Sequence, residues 1–103
     1  MPTRYVVQFE TQTGVTGTSD PFVVDPAREV SAAMVLTAGT PATGCQLQVT
    51  LDDADKIAAG TAVWVGSPLG FRVTHGAEKV LRPVTGLRLA VTDGTWTLQV
   101  RQA

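Results

Sequence analysis

The stretch GLRLAVTDGTWTLQVRQ, residues 86–102, alternates apolar and polar side chains on both sides of Asp93-Gly94. Counting outward from that pair sets Val91 opposite Trp96, Leu89 opposite Leu98 and Leu87 opposite Val100. The other face carries Thr92 with Thr95, Ala90 with Thr97 and Arg88 with Gln99. Asp-Gly suits a two-residue type I′ turn, whose two central residues both take φ > 0. The reading is a hairpin that lays one apolar face over a core.

Upstream segments repeat the period of two. CQLQVTLD (45–52) points Cys45, Leu47, Val49 and Leu51 inward, with Gln46, Gln48 and Thr50 outward. RYVVQFE (4–10) puts Tyr5, Val7 and Phe9 on one side. EVSAAMVLTAG (29–39) sets Val30, Ala32, Met34 and Leu36 on one face. Its alanines also suit a helix, but the β-branched neighbours and the Thr-Ala-Gly-Thr-Pro exit favour a strand. TAVWV, FRVT and KVLR read as further strands, separated by the turn GSPLG, by His75-Gly76 and by Pro83. DDADKIAAG (52–60) is the single helix, near residues 53–59, with Asp52 or Asp53 as cap, Ile57 as anchor and Gly60 as stop. Turn signals spaced by about 8 to 12 residues mark an all-β fold, an antiparallel β-sandwich or jelly roll.

The 103 residues fit one domain, 1–103. Within it, TQTGVTGTSD (11–20) reads as a loop or weak edge, and PFVVDP (21–26) as an extended segment stiffened by a proline at each end. Residues 11–28 are therefore expected to form an extended loop or docking arm. Phe22, Val23 and Val24 are its apolar contacts, and Arg28 stands beside them.

With a hydrophobic fraction of 44% and a charged fraction of 17%, the chain is too apolar for disorder and sparing in charge. Eight basic and nine acidic side chains leave a net charge of -1, and the arginines are scattered. That balance argues against phosphate-driven nucleic-acid binding. Cys45 is the only cysteine, which excludes an internal disulfide and favours assembly in a reducing cytoplasm. No apolar run suits a signal peptide or a membrane span.

No constellation carries catalysis. His75 in THGAEK has only Glu78 nearby and reads as a turn residue. The acids Asp52, Asp53 and Asp55 lack calcium-loop spacing and read as helix-capping charge, so no metal or other cofactor is expected. GSPLG lacks the lysine of a phosphate loop. Cys45 reads as a buried small hydrophobe. Trp96 belongs to the core. Trp64, out of phase with Val63 and Val65, is either covered by the short helix or exposed as a binding platform.

VTLDDADKIAAGTAVW followed by RPVTGLRLAVTDGTWTLQVRQ resembles small virion-associated proteins of tailed bacteriophages, over roughly residues 45–102. There a TLDD-type strand end precedes a Trp-bearing strand and a PVTxLRLxVT segment closes the chain. The resemblance implies a capsid decoration, or cement, protein on the outer surface of the head. Its partner would be the major capsid protein, it would assemble as a homo-oligomer, with a trimer favoured, and it would be put together in the host cytoplasm. Nucleic acid, membrane and enzymatic turnover have no place in that reading. The alternative is a carbohydrate- or receptor-binding module of a tail or head fibre, centred on Trp64.

Overall fold

The computed structural model describes residues 3–6, 8–80 and 84–102. Among these residues nine strands and one helix follow in order: β1 (Arg4–Tyr5), β2 (Phe9–Val15), β3 (Phe22–Val23), β4 (Val30–Ala38), β5 (Cys45–Thr50), α1 (Ala54–Ala59), β6 (Val65–Arg72), β7 (Gly76–Val80), β8 (Gly86–Val91) and β9 (Thr95–Gln102). One sheet runs β2-β9-β4-β7 and the other β1-β3-β8-β5-β6. Apart from the short parallel pair β1–β3, the pairings are antiparallel. From β2 onward, successive strands alternate between the two layers, except that β5 and β6 share one. With β1 set aside, that order is the jelly roll, the fold in which two four-stranded sheets close over one core.

The expected hairpin is absent: β8 and β9 lie in different sheets. Leu89 pairs with Leu47 of β5, while Leu98 pairs with Met34 of β4 and Gln12 of β2. The apolar faces of 87–91 and 96–100 therefore meet across the sandwich instead of lying side by side. The cause is local. Among the described residues none other than glycine has positive φ, so Asp93 cannot take its place in a type I′ turn. Its carboxylate accepts amides of the β4–β5 connection instead: Ala42 at 2.7 Å, Thr43 at 3.3 Å and, closest of all, Gly44. Three successive amides converging on one carboxylate form an anion-binding nest, and it fixes the corner where the chain changes layers.

Alternation nonetheless assigns most faces. Cys45, Leu47, Leu87, Leu89, Trp96, Leu98 and Val100 are fully buried, with Val30, Ala32 and Met34 from β4, which is a strand. Val49 and Val91 are half-buried. Leu51 breaks the expectation at 73% exposed, because β5 ends at Thr50 and the chain turns towards α1. Near the start of the chain the phase is reversed. Val6 is buried, whereas Tyr5 and Phe9 are exposed, and Val7 lies outside the described residues.

The docking arm is also corrected. Residues 9–15 form edge strand β2, Ser19 exchanges backbone and hydroxyl hydrogen bonds with Leu89, and β3 sits between β1 and β8. Phe22 and Val24 are buried in the core, and Val23 is half-buried. Burying a phenylalanine side chain stabilises the fold by about 1.5–3 kcal/mol, and that burial leaves Phe22 no exposed surface to offer a partner. Arg28 donates to the Gln102 carbonyl at 3.4 Å, at the end of β9. Buried Gln102 in turn holds both the amide and the carbonyl of Asp25 at 2.9 Å.

The GSPLG segment is not a turn between strands but lies inside β6. Gln46 pairs with Phe71 and Gln48 with Gly66, so Leu47 alone faces the four residues 67–70, which bulge from the ladder. The KVLR reading (79–82) begins at the end of β7, and its Leu81 and Arg82, with the separating Pro83, lie outside the described residues.

Candidate functional site

The space between the sheets is filled by side chains, so any binding must occur on the outside. The outer face of the β3-β8-β5-β6 layer is where the helix lies. Asp53 occupies the N-cap position with extended backbone but makes no side-chain cap bond, and Gly60 ends the helix in the left-handed region at φ 77. Asp52 accepts the Val63 amide at 2.6 Å and pairs with Lys56 at 3.8 Å, which ties the chain after the helix back to its start. Ile57 is buried against β8 at Gly86, where even a Cβ would come within 2.8 Å of its Cδ1. Glycine at that position is what lets the helix lie close to the sheet.

Beside the helix, a cleft of about 270 Å³ is lined by Pro21, Ile57, Ala58, Ala62, Trp64 and Arg88, among others. Trp64 is half-buried, and the Arg88 guanidinium lies over its ring, 4.6 Å from the centroid. Arg88 Nε donates to Gln48 Oε1 at 2.7 Å, a contact set by the direct Gln48–Arg88 pairing of β5 with β8. Burial lowers the Arg88 pKa from its ordinary value. Among the described residues no carboxylate pairs with this arginine. Trp64 was visible in the sequence as out of phase with its neighbours. By spacing alone Arg88 belongs to the polar face of a hairpin, and nothing in that spacing brings it to Trp64 across β5.

Next to the cleft runs an apolar edge. Val63 and Val65, flanking Trp64, are 70% and 54% exposed, and with Leu51 they line a shallow depression. Phe71 and Val73 continue the exposed apolar side chains at the far end of β6, the edge strand of its sheet. The opposite layer carries an open trough of about 580 Å³, bordered by Phe9, Ser31, Ala33, Ala77, Gln99 and Arg101. There Arg101 covers Phe9 at 4.9 Å and is exposed, so water solvates its charge.

The other sequence candidates have structural uses. His75 Nδ1 accepts the Leu36 amide at 3.1 Å, and its carbonyl accepts from Arg72 at 3.0 Å. Cys45 is buried with its sulfur 3.6 Å from that of Met34, and burial pushes its thiol pKa up to about 12. No group of His, Cys, Asp and Glu among the described residues is arranged to hold a metal ion. No helix among them is long and apolar enough to cross a membrane. Phe22, Val23, Val24 and Arg28 are not brought to Trp64 as one surface: the first and third belong to the core, and Arg28 serves the end of β9. Comparison with protein-family models finds no match. Comparison with curated proteins finds none either.

Proposed function

We propose that this is a structural protein of a tailed-phage particle, a capsid decoration or cement protein that binds and stabilises the outer surface of the head. Two lines support the reading: the resemblance of residues 45–102 to virion-associated proteins, and a surface suited to protein contact. The observation that carries it is the edge of β6. Of seven large apolar side chains left exposed among the described residues, four (Val63, Val65, Phe71 and Val73) lie on β6 or on the segments that flank it, and a fifth, Leu51 after β5, lines the same depression as Val63 and Val65. An unpaired strand edge with apolar side chains is a template for pairing with another chain, and monomers seldom leave one uncovered. The grip thus belongs to β6, facing the major capsid protein, and not to residues 11–28. The protomers would gather as trimers where capsomers meet.

Sedimentation of the purified protein with heads stripped of it tests this. Wild type should pellet with heads at a fixed copy number. Val63→Ser with Val65→Ser should keep the fold, since both side chains are exposed, yet bind at least tenfold more weakly. Undiminished binding by the double variant, or no association of wild type with heads, would refute the reading. A contact driven by apolar burial should also depend only weakly on salt.

A further inference from the structure

We propose that the cleft between α1 and β8 receives one acidic side chain of the partner protein, with Arg88 as the cation that pairs with its carboxylate. This deepens the protein-contact reading above and rests on it for the identity of the partner. The argument begins with the arginine. It is half-buried, uses only Nε within the fold, and has no carboxylate partner among the described residues. Its two terminal nitrogens carry no hydrogen bond to any described residue, and their fork matches a carboxylate in two-point geometry. A cation drawn partly out of water without a counter-charge costs free energy, and an incoming anion offsets that cost.

The chemistry of the walls selects the kind of anion. Stacked on Trp64 and held by Gln48, the guanidinium is already oriented, so little side-chain entropy is lost on binding. Pro21, Ala58 and Ala62 present apolar surface suited to the methylenes of a glutamate rather than to a fully hydrated ion. About 270 Å³ corresponds to roughly nine waters of bulk liquid, which is ample room for a glutamate side chain. A saccharide would need an aromatic face on which to stack, and Arg88 covers one face of Trp64. The cleft and the apolar edge are joined through one segment of chain, in which Trp64 lines the cleft and its exposed neighbours Val63 and Val65 line the depression beside β6. A tryptophan and an arginine beside an apolar rim is the composition of an interface hot spot.

The probe is N-acetylglutamate α-methylamide, whose only charge is the side-chain carboxylate, titrated against the isotope-labelled protein. The indole N–H of Trp64 and the Nε–H of Arg88 should shift saturably, in the millimolar range expected of a single contact. The indole of Trp96, buried and donating to the Asp93 carbonyl at 3.0 Å, should stay still and reports that the fold is intact. The neutral glutamine analogue should bind at least tenfold more weakly. Arg88→Gln and Arg88→Met should each abolish the shift while leaving the Trp96 signal in place. Equal binding by the glutamine analogue, by either variant, by inorganic phosphate or by glucuronate would overturn the assignment. The two proposals fail separately. If the probe binds but wild type never pellets with heads, the pocket stands and the cement role falls. If wild type pellets with heads but the probe does not bind, the reverse holds.

Discussion

Asp93 shows how much one side chain decides. Its carboxylate pKa is lowered chiefly by the Gly44 amide and then by that of Ala42, with burial opposing them and the Thr43 amide adding least. A folded-state pKa below the unfolded one gives stability that is present above the unfolded value and lost as pH falls through the folded value. Asp93→Asn should therefore melt below wild type at neutral pH, and the gap should close on acidification through the carboxylate range. A gap that stays constant would show that the nest does not depend on charge. Cys45 has the opposite sign. Its thiol is raised from 9.0 to about 12 by burial, so its contribution is complete below the ordinary thiol pKa and is lost as pH climbs towards 12. A thiol reagent at mildly alkaline pH should label Cys45 only as fast as the protein unfolds. Prompt labelling of the native protein would contradict its place in the core.

At the scale of elements, period-two alternation identified inward side chains well and partners poorly. Leu87, Leu89, Leu98 and Val100 were legible as core because burial needs only the face, and the face follows from spacing. Whether two such faces lie beside or opposite each other depends on the connection, and here that is decided by contacts of Asp93 with residues some fifty positions earlier. The same limit applies to PFVVDP, whose prolines indicated an extended segment but not that β8 would take it in. GSPLG has the composition of a turn and sits in a bulge for the same reason, since only the β5 register reveals it. The Trp64–Arg88 cleft needed two strands and a helix to assemble, so no local pattern could contain it. Gly94 retains its importance under the corrected account. It has φ 83, and a Cβ there would lie 3.0 Å from Trp96 Nε1. Gly94→Val should cost at least about 1–2 kcal/mol for the left-handed backbone alone, read as a lower melting temperature. An unchanged melting temperature would place the layer change elsewhere.

For the molecule as a whole, the jelly roll explains why nearly all chemistry is on the outside. Side chains from both sheets fill its interior, and the crossing connections leave few hairpins from which a flexible arm could reach a partner. The fold by itself does not name a function, since capsid proteins and lectins share it. What distinguishes this molecule is the asymmetry of its surface, with most of its exposed large apolar side chains near β6 and, beside α1, an Arg88 that has no carboxylate partner among the described residues. The central claim is that this edge is the contact surface. Hydrogen–deuterium exchange of the head-bound protein against the free protein tests it most directly. Binding should slow exchange of backbone amides in residues 63–73 and leave residues 11–28 as they were. Protection confined to residues 11–28, with 63–73 exchanging as in the free protein, would contradict the account.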